Sequence, residues 1–199
     1  MRVIAGQWKG RRLVAPPGLT TRPMLDRVKE ALFASLGTRV RDARVLDLYA
    51  GSGQLALEAL SRGAAAAVLV ESDAAARQVI TRNVAACRAQ ALVRVVAMPV
   101  EQALGRPGAF AGGSPDLVFC DPPYALPGPG VTRVLELLAS TLETGSRVVL
   151  RRPASETEWQ PPVAFSLVRR RKYGDTQLLD LDRADPEEDP THAQGPVPR

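Results

Sequence analysis

Val45-Leu46-Asp47-Leu48-Tyr49-Ala50-Gly51-Ser52-Gly53 is the stretch that decides the fold. Its first half is a short, mostly apolar strand. Gly51 and Gly53 make a loop that can take positive φ and let a ligand approach the backbone. The apolar residues from Leu55 onward then begin a helix. Strand, Gly-rich loop and helix in this order form the opening unit of a doubly wound parallel sheet, where an adenosine-bearing cofactor lies at the strand ends. A plain glycine turn would look the same in isolation, so the reading depends on what surrounds it.

The neighbouring residues narrow the cofactor. A pyrophosphate loop runs Gly-x-Gly-x-x-Gly, and Ala56 occupies the third position here. Asp47, followed three residues later by Ala50, puts an acid beside the loop. That suits a cofactor with an ammonium and a sulfonium better than one with two phosphates, and S-adenosylmethionine is the natural candidate. Glu71 ends the next strand, 24 residues after Asp47, where a carboxylate can hold both ribose hydroxyls.

Outward from this unit, strands are expected at Arg44–Leu48, Ala67–Glu71, Val93–Ala97, Asp116–Cys120, Ser146–Leu150, Val163–Arg170 and Thr176–Leu181, and helices at Gln54–Ser61, Asp73–Cys87 and Gly130–Leu142. Continuous apolar strands separated by helices imply a parallel sheet covered on both faces. The last two strands are joined only by Tyr173-Gly174-Asp175, so one edge of the seven-stranded sheet is expected to be antiparallel. Ahead of the sheet, Arg2–Gln7 and Arg11–Val14 read as a hairpin around Trp8-Lys9-Gly10. Ala15–Pro23 reads as a linker, and Met24–Leu36 as a helix stopped by Gly37. The expected organisation is an N-terminal hairpin-and-helix extension over 1–43, a Rossmann-like α/β domain over 44–183, and an acidic, Pro-rich disordered tail over 184–199.

Asp121-Pro122-Pro123-Tyr124 follows the strand Asp116–Cys120. The Asp121 carboxylate and the Pro122 carbonyl can each accept one N–H of an exocyclic amine. The prolines fix φ and bring no donors of their own. Tyr124 can stack on the plane of a base. Together they suit a flat base with an amino group.

The chain has 199 residues, 45% hydrophobic and 24% charged, enough for one domain with a sizeable core. Its apolar runs fall short of a membrane span, and no signal-peptide pattern opens it. Cys87 and Cys120 are the only cysteines and read as free thiols in a reducing cytoplasm; His192 is the only histidine, and no metal cluster is indicated. The net charge is +5, and residues 1–44 carry ten Lys/Arg against three acids. With Arg169-Arg170-Arg171-Lys172 this suggests a polyanionic partner.

Taken together, these stretches resemble the bacterial RsmD-type methyltransferases, which modify one guanine of small-subunit (16S) ribosomal RNA at N2. The resemblance runs from Arg2 to about Leu181. Beyond the cofactor and Asp-Pro-Pro-Tyr motifs it includes Arg2-Val3-Ile4-Ala5-Gly6, Gly10-Arg11, Arg22-Pro23, Asp26-Arg27-Val28-Lys29-Glu30-Ala31-Leu32-Phe33, Leu57–Ala64 and Tyr173-Gly174-Asp175-Thr176. It implies that Asp121, Pro122 and Tyr124 are catalytic, and that Asp47, Ala50, Gly51, Gly53, Glu71, Val100 and Arg22 meet S-adenosylmethionine. Arg2, Lys9, Arg11, Arg12, Arg27 and Tyr124 would meet RNA. It also implies a cytoplasmic monomer acting on 16S rRNA in the small subunit or an assembly intermediate. Two residues depart from the family pattern. Met24 stands where Thr is usual after Arg-Pro, and Pro99 stands where an acid or amide often meets adenine, which leaves the backbone near Val100 for that contact.

Three other readings compete. One is an amino methyltransferase acting on adenine N6 in DNA or RNA; the DNA version is expected to carry a recognition domain, for which the 16 residues from Ala184 are too few. The second is a non-catalytic ribosome-assembly factor on the same fold. The third is a nicotinamide-dependent oxidoreductase, disfavoured by the lack of a proton-relay motif.

Overall fold

The computed structural model describes residues 1–16, 24–106, 108, 110 and 112–185. The expected tail over 184–199 and the expected cofactor contact Arg22 therefore fall largely or wholly outside the described residues. Seven strands make one sheet: β1 (Arg44–Leu48), β2 (Ala66–Val70), β3 (Val93–Val96), β4 (Leu117–Cys120), β5 (Arg147–Pro153), β6 (Phe165–Tyr173) and β7 (Thr176–Arg183). Five helices accompany them: α1 (Asp26–Leu36), α2 (Gln54–Ser61), α3 (Ala74–Cys87), α4 (Val100–Leu104) and α5 (Gly128–Ala139). The strand order is β3-β2-β1-β4-β5-β7-β6. The first five strands are parallel, while β7 is antiparallel to both β5 and β6, as the short Tyr173–Asp175 link requires.

Alternate residues of each strand feed two cores. In β4, Leu117 and Phe119 join the layer of α1, α2 and α3, while Val118 and Cys120 join the layer of α4 and α5. Both faces are thus covered, which explains why all four residues of β4 are buried. Phe33 of α1 meets Phe119 with ring centroids 5.7 Å apart, tying the N-terminal extension to the centre of the sheet. Such a pair contributes about 0.5–1.5 kcal/mol beyond its buried area.

The N-terminal arms pair around Trp8-Lys9-Gly10, but over fewer residues than expected. An antiparallel bridge, Arg2 to Arg12, joins the two arms, and Val3 donates to the Arg11 carbonyl at 2.9 Å, Gly10 to the Val3 carbonyl at 2.9 Å and Leu13 to the Met1 carbonyl at 3.0 Å. Beyond Val3 the first arm turns its amides elsewhere: Ile4 and Ala5 donate to the Glu58 carboxylate at 2.7 and 3.0 Å, and Gln7 donates to the Ser61 carbonyl at 2.8 Å. Gly6 lies so close to the end of α2 that a Cβ there would overlap the Ser61 carbonyl, so from Ile4 onward the arm follows the helix. Helix α4 is also new, since five residues are too few to show a helical period.

Candidate functional site

The strand order reverses between β1 and β4. Helices leave these two strands toward opposite faces, which opens a crevice at their carboxyl ends. Leu48 and Cys120 are in register, so the loops that follow, Tyr49–Gly53 and Asp121–Tyr124, form the two sides of that crevice.

On the first side, Tyr49, Gly51 and Gly53 have φ of 59°, 56° and 73°. A Cβ on Gly53 would sit 2.9 Å from the Leu69 side chain, so both conformation and space require glycine there. Several bonds hold the loop. Gly53 donates to the Ala50 carbonyl at 2.8 Å, Gly51 to Glu71 Oε2 at 2.8 Å, and Asn83 Nδ2 to the Ser52 carbonyl at 2.9 Å. Buried Asn83 also accepts from the Val14 amide and donates to the Val14 carbonyl, which ties the end of the first segment beside the loop.

The structure brings the sequence-selected acids together but gives two of them additional duties. Asp47 is 2% exposed and accepts the Ala56 amide at 3.2 Å, fixing helix α2 to β1. Burial holds its pKa well above the usual carboxylate value, the Ala56 bond lowers it, and the charges of Asp121 and Glu71 push it further up. Glu71, just past β2, accepts the amides of Gly51 and Asp73, both at 2.8 Å. These amide bonds orient its carboxylate and leave further lone pairs on each oxygen. Ala50 is buried in the loop, and Val100 opens α4 after Pro99. Tyr49 places its hydroxyl 3.4 Å from Glu101, a link the sequence did not suggest.

On the second side, Asp121 is partly exposed, Pro122 is buried and Tyr124 is exposed. Burial raises the Asp121 pKa and Arg151 opposes that rise. Arg151 of β5 places Nη1 3.0 Å from Asp121 Oδ2 and its guanidinium carbon 5.5 Å from the Tyr124 ring centroid. Tyr124 Oη shares a 2.5 Å hydrogen bond with Thr176 Oγ1. Arg151 did not stand out in sequence, and Thr176 did so only within the Tyr173–Thr176 stretch, without a role. Arg151 follows the apolar core of β5, and only three-dimensional proximity links it to Asp121.

Among the basic residues, Lys9, Arg11, Arg12 and Arg27 are exposed, and exposed Arg2 pairs with Asp26 at 3.0 Å. Three others that entered the basic count are engaged within the fold. Lys29 is fully buried and meets Glu58 at 3.4 Å. Arg171 forks onto Asp180 at 2.6 and 2.8 Å, and Arg170 donates to the Thr157 and Trp159 carbonyls. Cys87 and Cys120 are free and buried. Among the described residues, no cluster of His, Cys, Asp and Glu could hold a metal, and no helix is long and apolar enough to cross a membrane.

A doubly wound sheet with this strand order, its antiparallel β7 and a Gly-rich loop facing Asp-Pro-Pro-Tyr across the reversal is the Rossmann-like fold of S-adenosylmethionine-dependent methyltransferases. The family model described as "Conserved hypothetical protein 95" matches residues 1–181, and the chain belongs to that family, the RsmD type. It is 44% identical over 124 residues to the ribosomal RNA small subunit methyltransferase D of Escherichia coli, a match covering 62% of this chain and 60% of that protein. It is 41% identical over 128 residues to a putative rRNA methyltransferase of Bacillus subtilis, covering 62% of this chain and 67% of the relative. The alignment thus spans about 60% of the length of the Escherichia coli relative. A solved structure of a putative Escherichia coli methyltransferase superposes with a TM-score of 0.80 at 34% identity, covering 92% of this chain and 98% of the other.

Proposed function

We propose that this protein transfers a methyl group from S-adenosylmethionine to the N2 amine of one guanine in small-subunit ribosomal RNA. The observation that carries the reading is the placement of Asp121-Pro122-Pro123-Tyr124 across the strand-order reversal from the Gly51–Gly53 loop. The relatives named as small-subunit rRNA methyltransferases support the substrate class.

The crevice fits this cofactor. Asp47, Glu71 and Asp121 lie close enough for the latter two to raise the Asp47 pKa, so a sulfonium and an ammonium would relieve charge repulsion that a pyrophosphate would worsen. Glu71 would hold the ribose hydroxyls, the Ala50–Gly53 backbone and Asp47 the methionine side, and the backbone near Val100 the adenine. Arg22 belongs to the same proposed set.

Bound S-adenosylmethionine supplies an electrophilic methyl group. The chain supplies orientation. The guanine N2 lone pair is delocalised into the ring, so the amine is a weak nucleophile. Asp121 Oδ1 and the Pro122 carbonyl accept its two hydrogens and aim the lone pair along the methyl–sulfur axis. No strong base is required beforehand. S-adenosylmethionine would give up its methyl group to this nitrogen and leave as the thioether, and the methylated, cationic nitrogen would then lose a proton to Asp121 or water. Tyr124 stacks on the extruded base, which offsets about 1–3 kcal/mol of unstacking. Lys9, Arg11, Arg12 and Arg27, with Arg2, meet the RNA phosphates.

The test is incubation with undermodified small subunits followed by mass-spectrometric mapping of methylated nucleotides. The expected product is one N2-methylguanine. Asp121→Ala is expected to nearly abolish transfer while cofactor affinity stays within a few-fold. Methylation confined to adenine, or near-normal turnover of Asp121→Ala, overturns the reading.

A further inference from the structure

The Asp121–Tyr124 loop is poor in backbone ties. Pro122, Pro123 and Pro127 have no N–H to donate. The Asp121 amide reaches the Leu48 carbonyl only at 3.4 Å, and Leu126 bonds within the loop, to the Pro123 carbonyl. Two consecutive arginines of β5 supply the missing restraint from opposite faces of the strand. Arg152 is 1% exposed and donates Nη2 to the Leu126 carbonyl at 2.8 Å, while Nε and Nη2 grip Glu156 at 2.8 and 2.6 Å. This holds the far end of the loop. Arg151 holds the near end: Nη1 on Asp121 Oδ2 at 3.0 Å and Nε on Thr176 Oγ1 at 3.1 Å, with the guanidinium over the Tyr124 ring.

We propose that Arg151 is a positioning residue for methyl transfer, whose guanidinium fixes the Asp121 carboxylate and the Tyr124 ring in the arrangement that receives the target amine. The proposal rests on the methyltransferase reading above. Arg151 takes Oδ2, so the carboxylate turns Oδ1 toward the amine. Its plane lies over one side of Tyr124, and the base takes the other. Thr176 completes the arrangement by touching both partners: it bonds Arg151 Nε and, at 2.5 Å, Tyr124 Oη. The Arg151 side chain is 11% exposed and that of Asp121 26%, so solvent screens the pair only in part.

The pair also sets the charge state of Asp121. The groups facing this carboxyl are Arg151 from β5, Tyr124 on its own loop, Asp47 from β1 and the neighbouring Cys120. Burial favours the protonated acid and Arg151 favours the carboxylate. Without Arg151, Asp121 would hold its proton to higher pH and lose the acceptor that the amine needs.

The experiment compares Arg151→Met, Arg151→Lys and Thr176→Val in the full chain, with undermodified small subunits as substrate. Arg151→Met is expected to lower kcat by at least about tenfold, the scale of one charge-assisted hydrogen bond. It should also move the acid limb of the pH–rate profile to higher pH while leaving S-adenosylmethionine affinity by calorimetry within about twofold. Arg151→Lys is expected to restore the limb and much of kcat, and Thr176→Val to lower kcat without moving the limb. An unchanged kcat and limb in Arg151→Met overturns the proposal. So does a loss matched by collapse of cofactor binding and melting temperature that Lys fails to rescue. Should Arg151→Met not fold, wild-type kcat in both other variants overturns it. An inactive wild type overturns the methyltransferase reading and this proposal together, whereas an active wild type with an indifferent Arg151→Met overturns this proposal alone.

Discussion

Asp47 is a carboxyl group enclosed by protein, with the Ala56 amide as its hydrogen-bond donor. Burial, Asp121 and Glu71 all raise its pKa, and the single amide bond only partly offsets them. A carboxyl whose folded pKa exceeds its unfolded value of about 3.9 binds its proton more tightly in the native state. Its contribution to stability is therefore full below about pH 4 and is lost as pH rises through the folded pKa. Asp47→Asn keeps an acceptor for Ala56 and removes the charge. The expected result is an unchanged Tm at pH 4 and a raised Tm at pH 7, by roughly 2–4 °C for each kcal/mol relieved, with weaker S-adenosylmethionine binding by calorimetry. A Tm at pH 7 no higher than wild type removes the charge cost from this residue. Spacing in the sequence located Asp47 and Glu71 at the strand ends but gave both only a ligand-facing role. Their bonds to the Ala56, Gly51 and Asp73 amides depend on how the loop closes, which no linear pattern encodes.

Helices α1 and α2 and the first arm of the chain meet at Glu58. This side chain is fully buried and receives Lys29 at 3.4 Å, Arg62 at 2.8 Å and the Ile4 and Ala5 amides. Burial lowers the Lys29 pKa and Glu58 opposes that shift. Removing one member of such a pair leaves a buried charge unpaired, which costs about 3–5 kcal/mol. Glu58→Ala is accordingly expected to destabilise strongly in urea unfolding. The double variant Lys29→Met/Glu58→Gln, which removes both charges and keeps one acceptor oxygen for the Ile4 and Ala5 amides, is expected to recover part of the loss. A double variant as unstable as Glu58→Ala alone would place the cost in the amide bonds and not in the ion pair. Sequence legibility divides along the same line. Inner strands such as β2 and β4 were legible because they are apolar runs of suitable length, and α2 and α3 because their apolar residues recur at helical spacing. The Arg2–Gln7 strand was overread beyond Val3 because the Ile4 and Ala5 amides go to α2, a partner 53 or 54 residues away. Lys29 entered the count of N-terminal basic residues, and nothing in the linear pattern marks it as the buried partner of Glu58.

At the scale of the whole molecule, the charge count overstates the surface available to RNA. Of the basic residues that suggested a polyanionic partner, Lys29 is buried against Glu58, Arg171 is clamped by Asp180, and Arg170 serves backbone carbonyls. The N-terminal arms keep Lys9, Arg11 and Arg12 exposed, and Arg27 is exposed on α1. The second arm runs beside the Gly51–Gly53 loop, since Asn83 bonds both Val14 and Ser52. RNA held by the arms would therefore lie next to the crevice between β1 and β4. If Arg11 and Arg12 neutralise phosphates, their counterion release appears in the salt dependence of binding. Each contact contributes about 0.7 to the log–log slope for single-stranded RNA. The Arg11→Ala/Arg12→Ala variant is expected to bind the substrate RNA more weakly and with a slope flatter by about 1.4. Arg133→Ala is the matched control, because Arg133 is exposed on α5 and pairs with Glu136 at 3.6 Å in the opposite layer. Its slope is expected to equal the wild type. Fluorescence titration of labelled RNA across a range of salt concentrations measures all three slopes. Equal slopes for the double variant and the wild type would mean that these arginines only solvate the arms and that RNA enters the crevice from another side.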